Sequence, residues 1–218
     1  MKKLAIVLVL APLLAPLAAL AAGGSSVDSS SVPEQSPEEL AIDYYNRGLK
    51  LRDKAWEMEE KAAASGDSDL HLKAEKQWLK AARAFEESIS SDPLMYQAHG
   101  SLGYTYRKLG RYEESLGAYN RALELSPQYV EAIEYRAEAY LGLDRLEEAK
   151  EAYMQLFQLD RAQADALMTA MREWIEEQRH GEGSVSPEVI DEFAGWVEER
   201  GEIASQTAML TESQGRSW

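Results

Sequence analysis

Residues 96–129 read YQAHGSLGYTYRKLGRYEESLGAYNRALELSPQY, and the spacing within this stretch recurs on both sides of it. The aromatic residues Phe85, Tyr119 and Tyr153 show the recurrence, because each follows the last after 34 positions. A fixed period of about 20–50 residues is typical of stacked supersecondary units rather than of one irregular globule. The period therefore predicts an array of similar units.

Each unit is expected to be a pair of antiparallel helices. Gly103 and Ser115 place small side chains in the two halves of the stretch, where two helix backbones can approach closely. Gly110 predicts a short turn between the halves, and Pro127 predicts the end of the second helix and the start of the next unit. One such hairpin cannot bury its apolar face alone, so neighbouring units have to stack.

These residues resemble the tetratricopeptide repeat (TPR), whose pattern is W-x2-L-G-x2-Y, then A-x3-F, then P. Residues 94–129 and 130–163 each carry one copy, although Arg136 replaces the usual leucine in the second. The matching residues are His99, Leu102, Gly103, Tyr106, Ser115, Tyr119 and Pro127 in the first copy and Ile133, Ala137, Tyr140, Ala149 and Tyr153 in the second. The resemblance implies an all-α fold, a short α-solenoid of TPR-type helical hairpins.

The units on either side depart from the regular pattern. Residues 40–93 form an atypical unit, because 33 positions separate Gly48 from Ala81 where 12 separate Gly103 from Ser115. The extra segment of about 21 residues has helical spacing itself, so it predicts an extended first hairpin that projects beyond the stack. Residues 164–201 predict a degenerate capping hairpin, as terminal repeats usually are.

The ends of the chain have their own patterns. Gly201 is expected to end the last capping helix, and the tail 202–218 holds at most one weak further helix over 203–210. Residues 1–22 are typical of a secretory signal, with Lys2 and Lys3 before an apolar run and small residues at its end. No cysteine follows it, which excludes a lipoprotein anchor. Residues 23–39, rich in Ser, Pro and Gly, predict a flexible linker. We therefore expect a periplasmic or secreted protein.

Charge and composition exclude several classes of function. The net charge of −15 disfavours nucleic acid and anionic lipid as partners, so membrane attachment would need an uncleaved signal. With no cysteine in the chain, thiolate catalysis, Cys-ligated zinc and iron–sulfur clusters are excluded. His71, His99 and His180 lack metal-ligand spacing, and no nucleophile elbow or phosphate loop is present. We expect no enzyme activity, no metal and no cofactor.

The family resemblance also implies where a ligand would bind. In TPR proteins the first helix of each hairpin lines a concave surface, and residues that flank the packing positions point into it. This predicted groove contains three basic residues, three glutamates and three tyrosines, a mixture unlike the basic clamp of the family's chaperone-tail binders. Its residues are Tyr45, Asn46, Arg52, Gln97, Ser101, Tyr104, Arg107, Lys108, Glu131, Glu134, Tyr135 and Glu138.

Two hypotheses of function follow from different features. The first is a scaffold or adaptor of the cell envelope that binds a protein or peptide in the concave groove, where tyrosines suit an extended peptide. The second is a carrier of an apolar small molecule or lipid, with a cavity between the extended hairpin and the TPR stack, flanked by Trp56 and Trp78. Self-association through the repeat ends is a further possibility.

Overall fold

The computed structural model describes residues 35–181 and 185–213, and the predicted signal at 1–22 lies outside them. Within the described part all regular secondary structure is helical, with eight helices and no strand. None of these helices combines the length and the apolar character needed to cross a membrane. The helices are α1 (Pro37–Ser65), α2 (Ser68–Ser91), α3 (Tyr96–Lys108), α4 (Tyr112–Leu125), α5 (Val130–Leu141), α6 (Leu146–Leu159), α7 (Arg161–His180) and α8 (Pro187–Ser213).

The predicted fold class is confirmed, including the extended first hairpin. Helices α1 and α2 contain 29 and 24 residues, about twice the 13 and 14 of α3 and α4. They turn at Gly66, whose φ of 69° lies in the left-handed region that favours glycine. Sequential helices pack on one another from α1 to α8, which gives the stacked hairpins of a short solenoid.

A seam of small residues joins the two long helices. The buried residues of α1 are Ala41, Gly48, Ala55 and Ala62, which lie seven residues apart. A strict seven-residue spacing keeps one face of a helix against its partner, as in a coiled coil. Because each of these side chains is a methyl group or smaller, α2 can approach α1 closely along its length.

The 34-residue aromatic period reflects a close approach within each hairpin. A Cβ added at Gly103 would lie 2.7 Å from Cδ1 of Tyr119, and one added at Gly48 would lie 2.5 Å from Cε1 of Phe85. In both hairpins the aromatic ring fills the space that the glycine leaves. The Ser115 hydroxyl also donates a hydrogen bond of 2.7 Å to the carbonyl oxygen of Gly103, which joins α3 to α4.

The turns between the helices repeat as well. Gly110 has a φ of 70°, and Asp144, 34 positions later, has a φ of 57°. Aspartate is one of the few residues other than glycine that adopts this left-handed conformation at moderate cost. The second regular repeat therefore keeps the turn geometry of the first without its glycine.

Two predicted boundaries are corrected. Helix α1 begins at Pro37, inside the expected linker, because the Ser36 hydroxyl accepts from the Glu39 amide and the Glu39 carboxylate accepts from the Ser36 amide. Helix α8 does not end at Gly201 but continues to Ser213. At Gly201 an added Cβ would lie 2.8 Å from Nη2 of Arg172, so the glycine allows the Arg172 side chain of α7 to approach α8.

Candidate binding groove

A cavity of about 440 Å³ opens on the face formed by the first helices of three successive hairpins. We call it the groove cavity. Its volume falls within the range of about 300–1,000 Å³ that is usual for ligand sites. Five of the twelve predicted groove residues line it: Arg52, Ser101, Tyr104, Glu131 and Tyr135. Its complete lining is Arg52, Asp53, Trp56, Gly100, Ser101, Tyr104, Tyr119, Tyr129, Glu131, Ala132 and Tyr135.

Gly100 is the residue of α3 that makes room for one wall of the cavity. A Cβ added there would lie 2.6 Å from Cε1 of Tyr129, which immediately precedes α5. The Tyr129 ring also meets Tyr96 edge to face, with 5.1 Å between the ring centroids. Tyr129 was not among the predicted residues, since it lies in a loop rather than on a first helix. Its hydroxyl is partly buried, and this burial raises its pKa to about 12.

Two tyrosines from successive repeats form the aromatic floor. The rings of Tyr104 and Tyr135 meet edge to face at a centroid distance of 5.1 Å. The Tyr104 ring also lies 5.9 Å from that of Trp78. Burial raises the pKa of the Tyr104 hydroxyl to about 12, so it remains protonated and available as a donor at neutral pH. The floor is thus a rigid surface with polar edges.

The prediction that Arg107 is an open basic residue of the groove is corrected, because its guanidinium already has a partner. Arg107 pairs with Glu138, and both side chains are mostly buried between α3 and α5. The same guanidinium lies 5.1 Å from the centroid of Tyr104 and 5.4 Å from that of Tyr135. Arg107 and Glu138 therefore hold neighbouring repeats together beneath the floor instead of lining the cavity.

Lys108, also predicted as a free groove residue, points to the extended hairpin. Its Nζ lies 2.9 Å from Oε2 of Glu59, and the other oxygen of Glu59 accepts a 2.7 Å hydrogen bond from the indole of Trp78. The same Nζ lies 5.2 Å from the ring of Trp56. The extra length of α1 therefore packs against the end of α3 and brings the 42% exposed side chain of Trp56 to the groove cavity.

The third cation of the predicted groove is paired within its own helix. Nε and Nη2 of Arg52 donate to the same oxygen of Asp53, at 3.0 and 2.8 Å. Every basic residue of the predicted set thus has a carboxylate partner. The charged residues that line the groove cavity are therefore the Arg52–Asp53 pair and Glu131, among five aromatic residues.

The prediction that Glu134 points into the groove is also corrected, since its side chain is only 5% exposed. Burial, and then the neighbouring Glu138 carboxylate, raise the pKa of Glu134 to about 8, while the positive charge of Arg107 acts in the opposite direction. Helical spacing alone could not reveal this, because the burial comes from packing against other helices. Its buried position beside Glu138 therefore favours the neutral form of the Glu134 carboxyl.

Three further predicted residues lie away from the cavity. The Tyr45 ring packs on Phe85 with 5.8 Å between centroids, so it belongs to the core of the first hairpin. Asn46 is exposed on α1 and Gln97 is half-buried at the start of α3. None of the three lines the groove cavity.

The alternative site for an apolar ligand fits this geometry poorly. A cavity does lie between the hairpin and the stack, but its lining includes Arg52, Asp53 and Glu131. Of the two tryptophans that motivated the idea, Trp78 is fully buried and bonded to Glu59. Across the described ranges no three His, Cys, Asp or Glu side chains come together as metal ligands. The His99 Nε2 instead lies 3.0 Å from the carbonyl oxygen of Pro93.

Comparison with known proteins identifies the repeats. Tetratricopeptide repeat models match residues 68–130 and 136–163. These matches cover α2–α4 and most of α5–α6, the helices that build the regular part of the stack. The chain contains tetratricopeptide repeats over these residues, as its resemblance predicted.

Several solved TPR domains are similar at low sequence identity. The second TPR domain of human RPAP3, in complex with the HSP70 peptide SGPTIEEVD, is 20% identical, with 62% of this chain and 96% of that one covered and a TM-score of 0.46. The TPR2B domain of yeast Sti1 is 20% identical, with 70% of this chain and 97% of that one covered and a TM-score of 0.38. MamA from Desulfovibrio magneticus is 15% identical, with 68% of this chain and 99% of that one covered and a TM-score of 0.38.

Proposed function

We propose that this protein is a non-enzymatic scaffold of the cell envelope that binds a protein or peptide segment in the concave groove. The observation that carries the proposal is the groove cavity, built by α1, α3 and α5 together and floored by Tyr104 and Tyr135. Aromatic rings with polar edges bind extended segments through both apolar contact and hydrogen bonds.

The extended hairpin has a role in this proposal. Because Lys108 and Glu59 attach α1 to α3, Trp56 is held at the side of the groove. A half-exposed tryptophan on a fixed helix offers a large contact area with little loss of side-chain entropy on binding. The hairpin thus adds a wall that the regular repeats alone do not supply.

Capture of partners tests the proposed groove. Wild type and the Trp56→Ala/Glu131→Ala variant are immobilised and exposed to an envelope extract, and retained proteins are quantified by mass spectrometry. We expect the variant to retain about tenfold less of one specific partner than wild type does, since an aromatic anchor contributes about 2 kcal/mol or more to binding. The control is Leu72→Ala/Glu113→Ala, which changes a large exposed apolar residue and an exposed glutamate outside the cavity. Equal recovery by both variants would contradict the groove as the binding site.

Export is a separate part of the proposal and rests on residues 1–22. Cell fractionation followed by N-terminal sequencing tests it. We expect the protein in the periplasmic or secreted fraction, with a new N-terminus after Ala21 or Ala22. Cytoplasmic protein that keeps Met1 would contradict the location while leaving the groove untouched.

A further inference from the structure

We propose that the groove cavity receives a basic side chain, lysine or arginine, of the bound segment. This inference rests on the proposed function and adds the chemistry by which the partner is recognised. It follows from the charges and the aromatic rings around the cavity, in three steps.

The basic residues near the cavity are not available to an anionic ligand. Arg107 is paired with Glu138, and Lys108 with Glu59, in contacts where all four side chains are about three-quarters buried or more. Breaking such a pair leaves a partly buried charge without its partner, which costs several kcal/mol. Only Arg52 is paired at the rim, and its partner Asp53 is on the same helix.

Carboxylates, in contrast, stand on two sides of the cavity. Asp53 comes from α1 and Glu131 from α5. Both donor atoms of Arg52 share a single oxygen of Asp53, and Glu131 is exposed, with no basic side chain of the described residues within 4.0 Å. Two carboxylates from different helices can therefore turn toward one incoming cation.

The aromatic lining favours the same ligand. A cation over a tyrosine or tryptophan face is attracted by the negative face of the ring, and more strongly where water is excluded. Arg107 lies against the rings of Tyr104 and Tyr135 and Lys108 against that of Trp56, so these rings already make contacts with cations inside the fold. Trp56 offers a further exposed ring at the side.

Selection of peptides from a random heptamer library tests the inference. The purified protein is immobilised, and bound peptides are sequenced against the unselected library. We expect lysine plus arginine to be enriched about fivefold at one position, which corresponds to about 1 kcal/mol of preference. For a selected peptide, changing that residue to glutamine should weaken binding by a similar factor and changing it to glutamate by more.

Matched charge variants locate the preference. Asp53→Asn/Glu131→Gln should still enrich peptides but lose the basic preference. Glu113→Gln/Glu151→Gln, which removes the same charge from exposed positions outside the cavity, should keep it. Enrichment of acidic or uncharged peptides by wild type, or a basic preference unchanged in the groove variant, overturns this inference alone. If wild type enriches no peptide at all, the proposed function fails together with it.

Discussion

The ammonium of Lys108 lies 2.9 Å from a carboxylate oxygen of Glu59, and this contact attaches the extended hairpin to the regular repeats. Glu59 also accepts the indole hydrogen bond of Trp78, so one carboxylate links α1, α2 and α3. Each of the two paired side chains is only 26% exposed, so solvent screens their attraction weakly. The length of α1, unusual for this repeat, is therefore integrated into the groove.

Loss of this carboxylate should destabilise the protein. Glu59→Ala removes a charge-assisted contact and leaves the Trp78 N–H and the Lys108 ammonium without their partner. We expect a loss of about 1–3 kcal/mol in the free energy of unfolding, measured by urea denaturation. The neighbouring exposed Glu60→Ala should change it by less than about 0.5 kcal/mol. Equal effects of the two substitutions would show that the attachment contributes no stability.

The glycines of the first regular repeat should respond oppositely to the same substitution. Gly103→Ala places a methyl group 2.7 Å from the Tyr119 ring, so we expect a loss of about 1–3 kcal/mol. Gly117→Ala, on the exposed side of α4 where nothing lies within 4 Å, should gain about 0.5–1 kcal/mol from helix propensity. Thermal unfolding of both variants measures the contrast. A stable Gly103→Ala would mean that the ring can move away at little cost.

The buried acid should make stability depend on pH. The pKa of Glu134 is raised to about 8 in the folded protein, above its ordinary value of 4.5. The contribution of Glu134 to the free energy of unfolding is therefore fully present below pH 4.5 and is lost as the pH rises toward and through 8. Glu134→Gln cannot ionise, so at pH 9 we expect it to exceed wild type by roughly 1–3 kcal/mol, with little difference at pH 4.

Denaturation curves at several pH values measure this effect. The exposed Glu151→Gln, on α6 and not among the charges that act on Glu134, serves as the control and should follow the wild-type profile. If Glu134→Gln also follows that profile, the side chain is solvated and ionised in the folded protein.

The continuous course of α8 predicts the sign of a third glycine substitution. In the middle of a helix, Gly201→Ala should raise stability by up to about 1 kcal/mol, because only the flexible end of Arg172 has to shift. If Gly201 ended the helix in a left-handed conformation, alanine would destabilise instead. Gly201→Pro should cost about 3 kcal/mol or more in the continuous helix. Circular dichroism during thermal unfolding distinguishes these outcomes.

Most of the architecture was predictable because it depends on spacing. The 34-residue period, the small residues at helix crossings and the break at Gly66 all follow from local steric rules. Two local signals were available and were overlooked. Ser36 and Glu39 have the spacing of a capping box, and the seven-residue spacing of small residues from Ala41 to Ala62 indicates a close helix pair.

The groove was less predictable, because helical spacing assigns a residue to a face but not to a partner. Arg107 and Glu138 are 31 positions apart, and Glu59 and Lys108 are 49 apart. Whether such residues are free or paired depends on side chains from another helix. Tyr129 was missed for a related reason, since it enters the cavity from a loop only because Gly100 has no side chain.

The helical hairpins, their order and the face each presents are encoded locally, because steric size and apolar periodicity act over a few turns of helix. The electrostatic character of the groove arises only on stacking. Packing pairs Arg107 and Lys108 with carboxylates, buries Glu134 and brings Trp56 beside the tyrosines, since charge interactions depend on distance and solvent exposure rather than on position in the chain. A predicted groove with three basic and three acidic residues thereby folds into one in which two of the three cations are held in partly buried ion pairs.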